Sequence, residues 1–478
     1  MHNDTEIYSY ITLYQSKNIK NFMIIKKETY LENQTKYKAF SINNINEIPQ
    51  LQKLSEQELF EIEVVSQVLP FKSNSYVINE LIDWDNIPND PLYILTIPQK
   101  DMLIPKHFDE IAKLLKSGAD KKTITNAANS IRMQLNPHPA GQLDLNVPSI
   151  NGEPIDGMQH KYRETALFFP SQGQTCHAYC TFCFRWPQFV GLEGLKFASK
   201  QLELLQEYFK VYPETTDILF TGGDPLIMSA NILNKYIDPL LSNVENLKNI
   251  RIGSKALAYW PYKFLTDSDA NDLLKLFEKV VKKGKHLAIM AHFNHPRELE
   301  TKAVQEAIRL IRSTGAEIRT QSPILNHINA DSKIWSEMWQ KQVSLGCIPY
   351  YMFVARETGA AHYFNLSLEN THKIFKEAYS KVSGICRTVR GPSMSAAPGK
   401  VQVLGITEIK GEKVFVLQFI QGRNPDWVLI PFFAKFNSQA TWLNDLKPAF
   451  GEKKFFWQEE YEKMTGQNAD SFEYKDLG

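Results

Sequence analysis

Between residues 165 and 355 short apolar runs alternate with amphipathic stretches, and this alternation restricts the fold more than any other feature of the chain. Strand-like runs fall at 165–169, 217–220, 250–254, 286–291, 317–321 and 348–354. Helical faces lie between them. Leu273, Leu274, Phe277, Val280 and Val281 share one side of a segment closed by Gly284, and Val304, Ala307, Ile308 and Ile311 do the same before Gly315. Strand and helix in turn predict parallel βα units in an α/β fold, which right-handed crossovers curl into a barrel or part of one. A full eight-fold barrel needs two more units than the six counted.

Barrels of this kind keep their reactive groups at the C-terminal ends of the strands. A loop with Cys176, Cys180 and Cys183 follows the first run, and Thr221-Gly222-Gly223-Asp224-Pro225-Leu226 follows the second. Gln321-Ser322 follows the fifth and Arg356-Glu357 the sixth. The cysteines are spaced C-x3-C-x2-C on one tight loop, which suits three irons of a 4Fe–4S cube with the fourth left open. A structural zinc site fits less well. It needs four N/S ligands, and the remaining cysteines, Cys347 and Cys386, stand alone. His177 adjoins Cys176, and neighbouring residues rarely reach one tetrahedral ion. A disulfide framework fails on five cysteines and a polar N-terminus without a secretory profile.

Charge excludes two classes of partner. With 54 basic and 53 acidic residues the formal charge is +1, so no footprint for nucleic acid or an anionic membrane is expected. No apolar run approaches the roughly 20 residues that span a bilayer. An oxygen-labile cluster then predicts a reducing, cytoplasmic setting. Outside the alternating segment, 55–69 and 107–115 have helical patterns, and Leu135-Asn136-Pro137-His138-Pro139-Ala140-Gly141-Gln142 is a proline-punctuated lead-in. Residues 406–409 and 413–419 flank Lys410-Gly411 as a hairpin. The expected division is a mostly helical region over 1–160, a barrel over 161–403 and a small β-containing α+β region over 404–478.

The cysteine spacing is similar to the signature of radical S-adenosylmethionine (SAM) enzymes, which share an open (β/α)6 barrel. More specifically, residues 130–403 resemble the lysine 2,3-aminomutase family of those enzymes. The likeness is carried by 176–185, 217–226, Ile250-Arg251-Ile252-Gly253-Ser254, His292-Phe293-Asn294-His295-Pro296, Thr320-Gln321-Ser322, Pro349-Tyr350-Tyr351 and the ungapped stretch from Ser383-Gly384 to Lys400. It implies a partial (β/α)6 barrel, a 4Fe–4S cluster on Cys176, Cys180 and Cys183, and both SAM and pyridoxal phosphate (PLP). The implied reaction moves an amino group from the α- to the β-carbon of a small amino acid. A flavodoxin- or ferredoxin-type electron donor and a homo-oligomeric assembly belong to the same implication. Lys400 would carry PLP, and Gln321 would lie near PLP and SAM. Phe182 would pack on the SAM adenine, and Gly222, Gly223, Asp224 and Ser254 would line the SAM site. Glycines there would let main chain approach the SAM amino group. Arg185 would grip the substrate carboxylate, a task suited to a bidentate guanidinium.

Departures from the family bear on the substrate. Lysine-specific members hold the distal ammonium with two acidic residues. One falls at Ser393 here, and the other near Arg356-Glu357, where the chain is one residue shorter than the pattern. With Arg356 in that place, the pocket prefers an acidic or neutral side chain; with Glu357 there, a cationic one. The family's phosphate-gripping arginine falls near Thr165, with Arg163 close enough to compensate. Two alternatives stay open: a PLP-independent radical SAM enzyme taking hydrogen from a peptide or small molecule, and a non-catalytic iron–sulfur or zinc scaffold.

Overall fold

Eleven strands form one open sheet whose spatial order follows the sequence without a crossing. They are β1 (Met158–Tyr162), β2 (Thr165–Phe168), β3 (Asp217–Phe220), β4 (Asn249–Ser254), β5 (His286–His292), β6 (Glu317–Ile324), β7 (Ile348–Val354), β8 (Arg390–Ser395), β9 (Gly399–Ile409), β10 (Glu412–Gly422) and β11 (Pro431–Lys435). The computed structural model describes residues 36–466 apart from 142–144, 192–196 and 200–201. Parts of the expected terminal regions, 1–35 and 467–478, thus lie outside the described residues.

Strands β2 to β8 run parallel, while β1 and the group β9–β11 extend the two edges antiparallel. All six runs read from sequence are parallel strands of this sheet. β8 adds a seventh that apolar patterning did not reveal, because Arg390-Gly391-Pro392-Ser393-Met394-Ser395 carries one large apolar side chain. The hairpin is longer than 406–419. Its strands extend to Gly399 and Gly422, and a register shift between Val403 and Gly405 breaks the two-residue period that sequence reading depends on.

Side chains alternate as the pleat requires. On β4, Ile250, Ile252 and Ser254 are buried while Arg251 and Gly253 lie on the opposite, half-buried face. Helices cover the buried faces. Ala270–Lys282 inserts Leu273, Leu276, Phe277 and Val280, and Lys302–Ser313 inserts Val304, Ala307, Ile308 and Ile311 behind a Thr301 cap. Each such side chain contributes about 1.5–3 kcal/mol on burial. Leu274 and Val281, expected on the core face, sit half-buried at its margin.

The N-terminal helices share this core. Glu56–Val68, capped by Ser55, and Pro105–Lys116 match the expected helical segments, and one buried cluster runs from Phe40 to Val389. A second joins Val354 and Met394 to Phe415, Phe419, Trp427 and Trp457 of the C-terminal strands and their cover. Lys161 on β1 donates to the carbonyl of Ala396 just after β8, so distant parts of the sheet meet although no ladder closes it. No helix among the described residues is long and apolar enough to cross a membrane.

Candidate functional site

The cysteine loop begins eight residues after β2 and has little regular structure of its own. Partners from elsewhere hold it. Lys72 Nζ donates to the carbonyl of Cys176 at 2.7 Å, and Asn74 Nδ2 to that of His177 at 3.1 Å. The main-chain amides of Tyr179 and Thr181 donate to Lys72 and Leu95 at 2.8 and 3.0 Å. From the other side the Asp224 amide donates to the carbonyls of Gly173 and Thr175 at 3.0 and 2.7 Å.

That last contact explains the two glycines. A Cβ on Gly223 would stand 2.5 Å from the Thr175 amide nitrogen, and Gly222 adopts a φ of +137° against Gln174. The missing side chains thus let the turn after β3 lie against the cysteine loop. Asp224 is buried and accepts from Ser254 Oγ at 2.9 Å, from the Lys255 amide at 2.9 Å and from the Leu226 amide at 2.9 Å. Burial pushes its carboxyl up to about 6. The pair Asp224–Ser254 therefore fastens the end of β3 to the end of β4.

Next to this loop lies a cavity of about 300 Å³. Five residues singled out from sequence line it: Phe182, Arg185, Gln321, Arg356 and Lys400. Gly222, Gly223, Asp224, Ser254 and the three cysteines stand outside its lining. Gln321 arrives there through strand periodicity, sharing a face of β6 with Arg319 and Pro323. Sequence reading missed Lys161, Tyr162, Arg251, Tyr351 and Gln421, which also line it. Arg251 had a legible signal, a lone charge on the alternate face of an apolar strand. Gln421 had none, since it enters only through the register of β10 on β9.

Lys400 opens β9. Its Nζ donates to Gln421 Oε1 at 2.9 Å and lies 4.1 Å from the Tyr351 ring centroid. Burial, then Arg251, Arg390 and Arg356, hold its ammonium well below the usual lysine range. Gly399 just before it is required by the packing, since a Cβ there would meet the Gln421 carbonyl at 2.4 Å. Arg185 and Arg356 both stack on Phe184, at 4.9 and 4.7 Å. Burial and then Arg356 bring Arg185 down to about 9, and burial lowers Arg356 as well. Nη1 of Arg356 is buried without a hydrogen-bond partner.

The departures find definite places. Arg356 lines the cavity and Glu357 does not; Ser393 is buried outside it, paired in register with Phe353 and Gln402. Thr165 lines the cavity, whereas Arg163 is exposed and lies outside its lining. Lys161 and Arg251 line it too; burial and then Arg423 hold the Lys161 ammonium well below its usual range, and Arg251 pairs with Asp217 at 2.7 Å. Three arginines and two lysines line the cavity, and no aspartate or glutamate does.

No family model matches the chain. A relative from Aquifex aeolicus, named "Putative L-lysine 2,3-aminomutase", is 31% identical over 404 residues, covering 84% of this chain and 95% of its own. The chain belongs to the lysine 2,3-aminomutase family. The L-lysine 2,3-aminomutase of Methanococcus maripaludis is 24% identical over 80% of this chain and 78% of its own length. Membership makes the chain a radical SAM isomerase. A radical SAM methyltransferase from Sphaerobacter thermophilus aligns at a TM-score of 0.35 and 13% identity, over 61% of this chain and 94% of that one, which is too weak to argue from.

Family membership implies a 4Fe–4S cluster and SAM, and the residues present fit them. Among the described residues no three His, Cys, Asp or Glu side chains converge on one ion. A cube does not require it, because each thiolate takes its own iron. Burial and then Cys180 push Cys183 up to about 12, and burial and then Asp224 push Cys176 well above its usual range. Thiols so placed ionise when iron binds them. PLP fits through Lys400, a buried amine held below its usual range beside cavity cations.

Proposed function

We propose that this isomerase is a SAM- and PLP-dependent aminomutase that moves an amino group from the α- to the β-carbon of an amino acid with an acidic side chain. The observation that carries the reading is one cavity shared by Lys400, by Phe182 and Arg185 of the cluster loop, and by Arg356. The cluster with SAM supplies a carbon radical that removes hydrogen from the substrate β-carbon, and PLP supplies the π system across which nitrogen migrates. Fold and site agree with an open (β/α)6 barrel of the radical SAM class, here carrying β8 as an extra parallel strand.

Cys176, Cys180 and Cys183 would hold the cluster that acts on SAM. Phe182 faces the cavity where an adenine can pack, while Gly222, Gly223, Asp224 and Ser254 shape the wall behind it. Lys400, whose ammonium burial holds well below the usual lysine range, is placed to bond the PLP carbonyl carbon. Arg251 offers charge and Lys161 a hydrogen-bond donor for the phosphate in place of the family's arginine, and Gln321 orients polar groups between the cofactors. Arg185 binds the α-carboxylate. Arg356, whose Nη1 lacks a partner, binds the side-chain carboxylate. A lysine substrate would bring a further cation beside Arg185, Arg251 and Arg356 and find no carboxylate in the lining. The electron comes from a flavodoxin- or ferredoxin-type donor, and assembly as a homo-oligomer belongs to the same proposal.

The test is anaerobic reconstitution of the full chain with iron, sulfide and PLP. Wild type should show the visible absorption of lysine-bound PLP and Lys400→Ala should not. Glutamate should give its β-isomer, with lysine a poor substrate. Absence of that absorption in wild type, with an intact cluster, would instead favour the PLP-independent reading, which the Thr165 departure supports.

A further inference from the structure

We propose that Tyr259 is a positioning residue that raises the reduction potential of the cluster by donating its hydroxyl hydrogen to the sulfur of Cys180. The proposal rests on reading Cys176, Cys180 and Cys183 as cluster ligands. Tyr259 Oη lies 3.3 Å from Cys180 Sγ, its one hydrogen-bond partner among the described residues. The residue is 1% exposed, so solvent does not compete for the hydroxyl.

Two contacts fix the residue in place. Tyr259 ends the short helix Ala256–Tyr259 after β4, and its carbonyl accepts from Asn74 Nδ2 at 3.0 Å. The same Asn74 amide holds the His177 carbonyl, so one side chain sets phenol and cluster loop in common register. Lys255 Nζ stands 4.5 Å above the ring and is itself tied to Glu298 at 2.7 Å and Asn294 at 2.9 Å. A cation over the face draws electron density from the phenol and makes its O–H a better donor.

The chemistry follows from charge. One-electron reduction of the cluster adds negative charge, part of which falls on the ligand sulfurs. A donor aimed at one sulfur is therefore bound more strongly after reduction, and the potential rises. The electron donor can then be a milder reductant.

The measurement is an EPR-monitored redox titration of the reconstituted full chain. Tyr259→Phe keeps the ring and removes the donor. It should lower the equilibrium constant for one-electron reduction about tenfold, a shift of ~59 mV to more negative potential. Replacing Tyr259 with 3,5-difluorotyrosine, a stronger donor, should shift the potential upward. Shifts of opposite sign from two near-isosteric rings are not produced by packing alone. An unchanged or raised potential in Tyr259→Phe overturns the proposal, as does an unchanged or lowered one with difluorotyrosine. Should Tyr259→Phe take up no iron, the difluorotyrosine protein decides by itself. A wild-type protein that holds no cluster removes the underlying reading as well, whereas an unmoved potential removes this proposal alone.

Discussion

At the cluster end, side chains and main chain of the N-terminal region tie down the loop through its own carbonyls and amides, whereas at the lysine end arginines and lysines line a cavity with no carboxylate in its lining. Lys72, Asn74 and Leu95 satisfy the loop around Cys176–Thr181. Around Lys400 stand Arg251, Arg356 and Arg390, with no carboxylate in the cavity lining. The first arrangement satisfies main-chain groups of the loop from elsewhere in the fold, and its cysteine spacing resembles the family's pattern. The second is incomplete, and it is where the chain departs from that pattern. Reaction chemistry is thus kept at one end while substrate preference is free to change at the other.

The contrast can be broken most sharply at the thiols. Cys180→Ala should abolish iron–sulfur assembly and turnover together, read as iron content and product formation, because the cube would lose one of three thiolates. Lys400→Ala should keep the cluster but lose lysine-bound PLP absorption, with turnover reduced more than about 100-fold through lost positioning. Retained PLP absorption in that variant would contradict the proposed division of labour.

Arg356→Glu probes the open end. It should weaken use of an acidic substrate by about 2–5 kcal/mol in kcat/KM and improve use of a cationic one, with iron content unchanged. Gly399→Ala should cost about 1–3 kcal/mol of stability, seen in thermal unfolding, because the added methyl meets the Gln421 carbonyl. The smallest expected effect is on pH dependence. An ordinary lysine gains reactive neutral amine about 100-fold from pH 8 to 10. Lys400 is held well below the usual lysine range, so its rate of PLP capture should rise much less across the interval. A rise of that size would place its pKa near normal.

Sequence reading located the parallel strands and the motifs at their ends because both are local: period-two burial on β4 and β6, and spacing within one loop. It did not find β8, whose serines and proline hide a strand, nor the true length of β9 and β10. Nor did it reveal that the glycines let the β3 turn pack on Gln174 and Thr175, a contact between segments nearly fifty residues apart. The choice between Arg356 and Glu357 needed the cavity itself, since a one-residue shortening moves either side chain into reach in sequence terms.

The clasp of Lys72 and Asn74 on Cys176 and His177 joins residues 103 to 104 positions apart. Maturation of the enzyme therefore has an order: iron donation must wait until the front of the polypeptide has docked, because only then is the ligand loop shaped to receive a cube. A front-end truncation that spares every cysteine would still leave the protein unable to be metallated.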